Sequence, residues 1–171
     1  DEIAADLEAN GSFVTRAALA DYRPDFYPPL EGRYRGYVVC SNPPPGSGAT
    51  LIEMLQILEH FDLSRLDHSS AHHIDLVARA MAAAHVDRNE YLGDPRFADV
   101  PTAMLVSQER AAYWADRIHR GEIPGNELKA PPSCTTHLCT FDEQGNAVSL
   151  THTLGTAGGG VAPGRGVNHK Q

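Results

Sequence analysis

Long apolar runs are missing from this sequence, and their absence argues against membrane-spanning helices. No stretch approaches the roughly 20 consecutive apolar residues that a helix needs to cross a bilayer. Hydrophobic residues still make up 42% of the 171 positions, which is enough for a sizeable core. The sequence therefore predicts a soluble, globular chain of one or at most two domains.

Clusters of basic residues are lacking as well. Lys and Arg number 14 against 22 Asp and Glu, so the net charge is −8, and the arginines are scattered along the chain. Binding to a phosphate backbone depends on clustered Lys and Arg. We therefore expect no nucleic-acid partner, and the acidic balance says little about a substrate.

Cysteine is scarce, and its pattern argues against both a disulfide framework and a zinc site. The three cysteines are Cys40, Cys134 and Cys139. An odd number with irregular spacing is a poor disulfide framework, and there is no pair of CxxC motifs for a zinc site. We expect small buried thiols, no metal and no cofactor.

Both ends of the sequence lack the features of natural chain ends. The opening DEIAADLEANG has no initiator Met and neither the basic nor the apolar region of a signal peptide. The closing GRGVNHKQ has no terminating structural element. We expect a segment of a longer protein, and the sequence does not assign that protein to a compartment.

Helical patterns occupy much of the first 120 residues. Thr15 and Ser107 are suited to be helix N-caps, and the Ala-rich stretch before residue 86 should turn Ile74, Val77, Ala78 and Met81 inward. The periodicity predicts helices over residues 1–10, 15–22, 51–61, 70–85 and 107–120.

Between the helices the sequence predicts a strand, two loops and a linker. Aromatic and β-branched residues predict a strand over 33–41. Three consecutive prolines predict a loop over 42–50. Turn residues predict another loop over 87–101, in which Asp87 and Asp94 would cap helices and form Asx-turns. Residues 121–132 should form a linker.

The stretch SCTTHLCTFDEQGNAVSLTHTLG, residues 133–155, predicts a β-hairpin. Two alternating segments flank DEQGN, in which Gly145 can take the left-handed conformation of a type I turn with a G1 bulge. This loop pairs residues whose numbers sum to 288, so Thr135 faces Thr153 and His137 faces Thr151. These four share one face, and Leu138, Val148 and Leu150 fill the other.

Hydroxyl chemistry on this hairpin needs a base, because Ser and Thr are weak nucleophiles on their own. Nine histidines leave a Ser–His–Asp arrangement open, although no GxSxG elbow is present. An N-terminal Thr can instead use its own α-amino group as the base. This solution requires a cut directly before Thr135, and an uncut, structural Thr135 is the alternative.

The same stretch resembles the start of the small subunit of gamma-glutamyltransferases, in which TTH, a strand, an Asp-x-x-Gly-Asn turn and AVSLTxT mark a self-cleaving site. Upstream, RYRGYVVCSNPPPGSG, LIEMLQILEHFDL and DRNEYLGDPRF are similar to the end of the large subunit, in the same order. GVAPGRGVN resembles the glycine-rich stretch that follows. The resemblance covers nearly the whole chain.

The resemblance implies an N-terminal-nucleophile hydrolase, an α/β (α+β) protein that forms part of an αββα sandwich, with helices first and antiparallel strands last. Thr135 would attack the carbonyl of Cys134, and cleavage would leave residues 1–134 as large-subunit-like and 135–171 as small-subunit-like pieces that stay paired. Freed Thr135 would then transfer a γ-glutamyl group to water or to an amine, and Thr153 would hydrogen-bond the nucleophile.

One position departs from the family pattern. Gly155 stands where the family typically has an Asn that contacts the glutamate, so this substrate-binding position has lost a polar group. The departure leaves two alternatives open. Beside the γ-glutamyl hydrolase and transferase, the protein is then a divergent member with acylase-like specificity, or a non-catalytic or uncleaved relative that keeps the fold.

Overall fold

The structure is a computed structural model, and it describes residues 2–122, 124–125, 133–156, 160–162 and 167–169. Side chains are described for residues 2–122, 124–125 and 138–151. The chain forms two compact units, one of Phe26–Leu128 and one that combines Asp1–Asp25 with Lys129–Gln171. The predicted boundary between residues 134 and 135 lies within the second of these units.

The unit Phe26–Leu128 contains a β-hairpin and most of the helices. Its elements are β1 (Leu30–Tyr34), β2 (Tyr37–Ser41), α3 (Gly48–Glu59), a 3₁₀ turn (Leu63–Arg65), α4 (Ala71–Tyr91), α5 (Thr102–Leu105) and α6 (Gln108–His119). Ser107 caps α6 as predicted, because its hydroxyl accepts a hydrogen bond from the Arg110 N–H at 3.1 Å. The loop predicted over 42–50 ends earlier, since α3 begins at Gly48.

The core of this unit lies where α3, α4 and α6 meet. Its buried residues are Ile57, Leu58, Leu76, Ala80, Ala83, Ala111, Trp114 and Ile118. Helix α4 contributes alanines, whose small side chains let neighbouring helix backbones approach closely. Around them, larger side chains of α3 and α6, among them Ile57, Trp114 and Ile118, complete the core.

Helix α4 buries a different face from the predicted one. Of the expected inward residues, Ile74 and Met81 are 57% and 42% exposed, and Ala78 is also exposed. The buried stripe is Leu76, Ala80, Ala83, Ala84 and Asp87. Val77 is partly buried and packs against the core, as predicted. The prediction was wrong for the other three residues because an Ala-rich helix has little contrast between faces, so its partners decide which face is buried.

Helix α4 also continues past its predicted end. It covers Ala71–Tyr91, so residues 87–91 of the predicted loop are helical, and the expected capping role of Asp87 is wrong. Asp87 is buried and bonds to α6 instead. Asp94 behaves as predicted, because its Oδ1 accepts a hydrogen bond from the backbone N–H of Arg96 at 2.9 Å.

Residues 33–41, predicted to form one strand, instead form the end of β1, a turn and the whole of β2. Strands β1 and β2 pair antiparallel, with Tyr34 opposite Tyr37. The two turn residues, Arg35 and Gly36, have φ values of 49° and 82°, as a type I′ turn requires. The turn also contacts α3, because the Arg35 N–H donates to Oε1 of Glu59 at 2.6 Å.

Gly32 lets β1 approach α3 closely, and we expect Gly32→Ala to destabilise the fold. A Cβ at Gly32 would lie 2.2 Å from Cγ2 of Ile52, which is 1% exposed. A β-branched side chain has little freedom to move away, so overpacking should cost about 1–3 kcal/mol. Denaturant unfolding of the full-length protein measures the change.

Gly93→Ala is the matched control, since a Cβ there would meet only Ala98 Cβ, at 3.4 Å. This variant should unfold close to wild type. If Gly32→Ala is as stable as Gly93→Ala, the close approach of β1 to α3 does not constrain position 32.

The second unit combines two short helices with the remaining strands. Its elements are α1 (Glu2–Ala9), α2 (Arg16–Asp21), β3 (Ser133–Phe141), β4 (Ala147–Thr156), β5 (Gly160–Ala162) and β6 (Val167–His169). Thr15 caps α2 as predicted, accepting from the Ala18 N–H at 3.1 Å. Strands β3 and β4 pair antiparallel, as do β5 and β6. Most of the predicted linker, residues 121–132, lies outside the described residues.

In the part of the chain that the structure describes, no helix is long and apolar enough to cross a membrane. The expectation of buried thiols is wrong at two positions, because Cys40 and Cys139 are both exposed on strands. The side chain of Cys134 lies outside the described residues.

Candidate functional site

The β3–β4 hairpin has the predicted register. Thr135 pairs with Thr153, and His137 pairs with Thr151. The same count holds down to the loop, where Phe141 pairs with Ala147. Directly opposed residues place their Cβ atoms on one face about 4.5–5.5 Å apart. The backbone therefore brings the two threonines singled out in the sequence to one site.

The loop sets this register through Asp142. Its N–H donates to the Asn146 carbonyl at 3.0 Å, and its carbonyl accepts from Gly145 N–H at 3.1 Å. Gly145 has a φ of 83°, as the predicted G1 bulge requires. The Asp142 carboxylate also accepts from the Asn146 side chain at 2.6 Å. Several hydrogen bonds lower the pKa of Asp142 below its ordinary value, and the one from the Asn146 side chain has the largest effect.

The register changes at one point, directly beside Thr135. Cys134 pairs with Gly155, whereas Thr135 pairs with Thr153. One residue of β4, Leu154, therefore has no partner on β3 and forms a β-bulge. Bulges bend a strand and re-aim its side chains, and they are enriched next to active sites. The bulge lies opposite the peptide bond between Cys134 and Thr135.

Leu138, Val148 and Leu150 share the other face of the hairpin, as predicted. Leu138 pairs with Leu150, and Thr140 pairs with Val148. The three apolar side chains are only about half buried, with exposures of 49%, 55% and 51%. They lie on one face of the hairpin, but among the described residues they are not buried in a core.

Comparison with known proteins identifies the family. A family profile described as gamma-glutamyltranspeptidase matches residues 1–168. The chain belongs to the gamma-glutamyltranspeptidase family. It is 39% identical over 173 residues to the glutathione hydrolase proenzyme of Escherichia coli strain K12. That alignment covers 96% of this chain and 30% of the relative, so the chain spans less than a third of that protein.

Solved structures of the family resemble the fold. Gamma-glutamyltranspeptidase of Helicobacter pylori superposes with a TM-score of 0.65 at 34% identity, over 75% of this chain and 39% of that one. Cephalosporin acylase of Bacillus halodurans gives 0.70 at 29% identity, over 90% and 28%. These likenesses confirm the predicted α+β class of the N-terminal-nucleophile hydrolases.

A second polar cluster, in the helical unit, was missed by the sequence analysis. Asp87 of α4 is 1% exposed and accepts two hydrogen bonds from the Arg110 guanidinium of α6, each at 2.5 Å. It also accepts from the Trp114 indole N–H at 3.0 Å. Glu53 of α3, likewise 1% exposed, belongs to this buried cluster, because Asp87 and Arg110 are among the groups that act on its pKa.

The pKa values of the two carboxyl groups in the buried cluster move in opposite directions. Burial first, and then the hydrogen bond and charge of Asp87, raise the pKa of Glu53 to about 10. Burial also favours the neutral form of Asp87, but hydrogen bonds from Arg110, Glu53 and Trp114 lower its pKa below the ordinary value. The sequence held one signal for the cluster, namely the charged residue Glu53 in the largely apolar run LIEMLQIL.

Among the residues that the structure describes, no group of three or more His, Cys, Asp and Glu is arranged to hold a metal ion. For the site residues expected from the sequence, Cys134, Thr135, Thr153 and Gly155, the structure gives backbone positions.

Proposed function

We propose that this family member is part of a self-cleaving N-terminal threonine hydrolase and transferase that acts on γ-glutamyl amides such as glutathione. The observation that carries the proposal is the pairing of Thr135 with Thr153 beside a bulge. Membership of the gamma-glutamyltranspeptidase family supports it. The name of the E. coli relative, glutathione hydrolase proenzyme, supports both the substrate class and the processing.

The first step of the proposal is cleavage of the chain. The Thr135 hydroxyl attacks the carbonyl carbon of Cys134, the C–N bond between the two residues breaks, and an ester forms. The Thr135 nitrogen takes up the proton and becomes a free amine. Water then hydrolyses the ester, which leaves a carboxylate on Cys134 and restores the hydroxyl. The bulge at Leu154 supports this step because it distorts the pairing opposite the bond that breaks.

The second step is acyl transfer. The new α-amino group, with an ordinary pKa of about 7.7–8.0, accepts the hydroxyl proton as Thr135 attacks the γ-glutamyl carbonyl. The amine of the substrate leaves with a proton, and a γ-glutamyl ester of Thr135 remains. Water or an amine acceptor then releases the glutamyl group. Thr153, on the same face, would hold the nucleophile by a hydrogen bond.

Cleavage would leave two pieces that remain paired, 1–134 and 135–171. Sequence from both sides of the cut contributes to one compact unit, because Asp1–Asp25 and Lys129–Gln171 belong together. The pieces would therefore correspond to a large-subunit part and a small-subunit part. No resident cofactor enters either step.

Gly155 favours a second candidate, an acylase-like specificity within the same mechanism. It lies opposite Cys134 on β3, and glycine provides no side-chain amide to contact the glutamate. The likeness to cephalosporin acylase supports this candidate. The two specificities differ in whether the acyl group carries an α-amino group.

We expect Gly155→Asn to raise kcat/KM for γ-glutamyl p-nitroanilide by about tenfold to a hundredfold, because a hydrogen bond to a charged group is worth about 1.5–3 kcal/mol. Glutaryl p-nitroanilide, which lacks the α-amino group, should gain less. The measurement is the ratio of the two kcat/KM values in the full-length, cleaved protein. A matched control is Gly145→Asn, in the exposed hairpin loop, which should leave the ratio unchanged.

The outcomes separate the candidates. Wild-type activity on γ-glutamyl p-nitroanilide, increased by a dipeptide acceptor, supports the transferase. Activity on the glutaryl compound alone supports the acylase. A cleaved protein that turns over neither compound, even as Gly155→Asn, contradicts both specificities.

A further inference from the structure

The buried cluster of Glu53, Asp87, Arg110 and Trp114 contains two carboxyl groups and only one cation. Asp87 receives three N–H donors, two from Arg110 and one from Trp114. Glu53 has no such set of donors, and its Oε1 is buried without a hydrogen-bond donor. An isolated carboxylate buried in this way is strongly destabilised, and such a group becomes protonated instead.

The surroundings of Glu53 supply no second cation among the described residues. Asp87 and Arg110 are the charged groups that act on it. Helix α5 has no titratable residue. The hairpin β1–β2 presents one half-buried titratable residue, Tyr34, and its others are exposed: Glu31, Arg33, Arg35, Tyr37 and Cys40.

We propose that Glu53 and Asp87 hold one proton between them at neutral pH. The buried cluster is then electrically neutral and links α3, α4 and α6, and its contribution to the stability of the fold depends on pH. The proton lies on Glu53, whose O–H donates a hydrogen bond to the Asp87 carboxylate, and Asp87 remains the charged counter-ion of Arg110. This inference concerns the helical unit and does not depend on the proposed function.

The direction in which stability changes with pH follows from the extra proton that the folded state binds. In the unfolded chain Glu53 loses its proton near the ordinary carboxyl pKa of 4.5, whereas in the folded chain it keeps the proton up to about 10. Between these values the folded state binds one proton more than the unfolded state. Stability from this residue therefore falls as pH rises, by about a factor of ten in the folding equilibrium constant per pH unit.

Glu53→Gln tests this proposal, because glutamine keeps the shape of the side chain and can donate a hydrogen bond to Asp87 but cannot ionise. Folding equilibrium constants of the full-length protein are measured by denaturant unfolding between about pH 6 and about pH 9. The ratio of wild type to Glu53→Gln should fall about tenfold per pH unit. Glu90→Gln, at an exposed position of the same helix as Asp87, should give a ratio that does not change with pH.

An infrared measurement keeps the test decisive if Glu53→Gln is poorly folded. The wild-type protein at neutral pH should show the carbonyl band of a protonated carboxylic acid, and Glu90→Gln should retain it. Absence of this band from the wild type, or a pH-independent ratio for a folded Glu53→Gln, overturns the proposal.

Discussion

Thr135→Ala is expected to leave the full-length chain uncut and to reduce kcat/KM for the acyl substrate by at least about a thousandfold, the scale on which enzymes lose activity with their nucleophile. Alanine keeps the strand but removes the hydroxyl that attacks both the Cys134 carbonyl and the substrate. Intact-mass spectrometry measures the first effect, since wild type should give two masses with a boundary between Cys134 and Thr135. A substrate assay measures the second.

Thr136→Ala is the matched control for this prediction. Thr136 is the neighbouring residue, it pairs with His152, and alternation along the strand places it on the other face. This variant should still be cut and active. If Thr135→Ala is cut as efficiently as Thr136→Ala, Thr135 is not the nucleophile. If even wild type stays intact under folding conditions, the non-catalytic alternative is supported.

Asp87→Ala is expected to destabilise the protein by about 3–5 kcal/mol, the usual effect of removing one partner from a buried ion pair. The substitution leaves the Arg110 guanidinium, whose side chain is 22% exposed, without its counter-ion. It also removes the acceptor of the Trp114 indole. Denaturant unfolding at neutral pH measures the loss.

Asp75→Ala provides the comparison, because Asp75 also lies on α4 and also pairs with an arginine. Its partner, Arg79, is 2.8 Å away, but the Asp75 side chain is 59% exposed. Exposed ion pairs contribute about 0–1 kcal/mol, so this variant should be nearly as stable as wild type. Equal effects of the two substitutions would contradict the importance of burial at Asp87.

The hairpin could be predicted from the sequence because its determinants are local. Asp142, Gly145 and Asn146 lie within five positions of one another, and the loop they form fixes the pairing of every residue up to Thr135. The bulge at Leu154 could not be predicted in this way. Nothing in the alternation of β4 marks the residue that loses its partner.

The buried cluster could not be predicted, since its members meet only through tertiary packing. Asp87 and Arg110 are separated by 23 positions, and Asp87 looked like a loop residue because turn-forming residues follow it. Two hydrogen bonds from Arg110 and burial against α6 instead favour continuation of α4 to Tyr91. Local propensity is a weak guide where a buried ion pair supplies the larger energy.

The position of Thr135 inside β3 has a consequence for the chain end that a cut would create. Chain termini usually fray, because nothing holds their first residues. A cut before Thr135 removes only the first two residues of the strand Ser133–Phe141, so the new terminus begins already paired to Thr153. The amine and hydroxyl of that first residue would start each reaction with little orientational freedom left to lose.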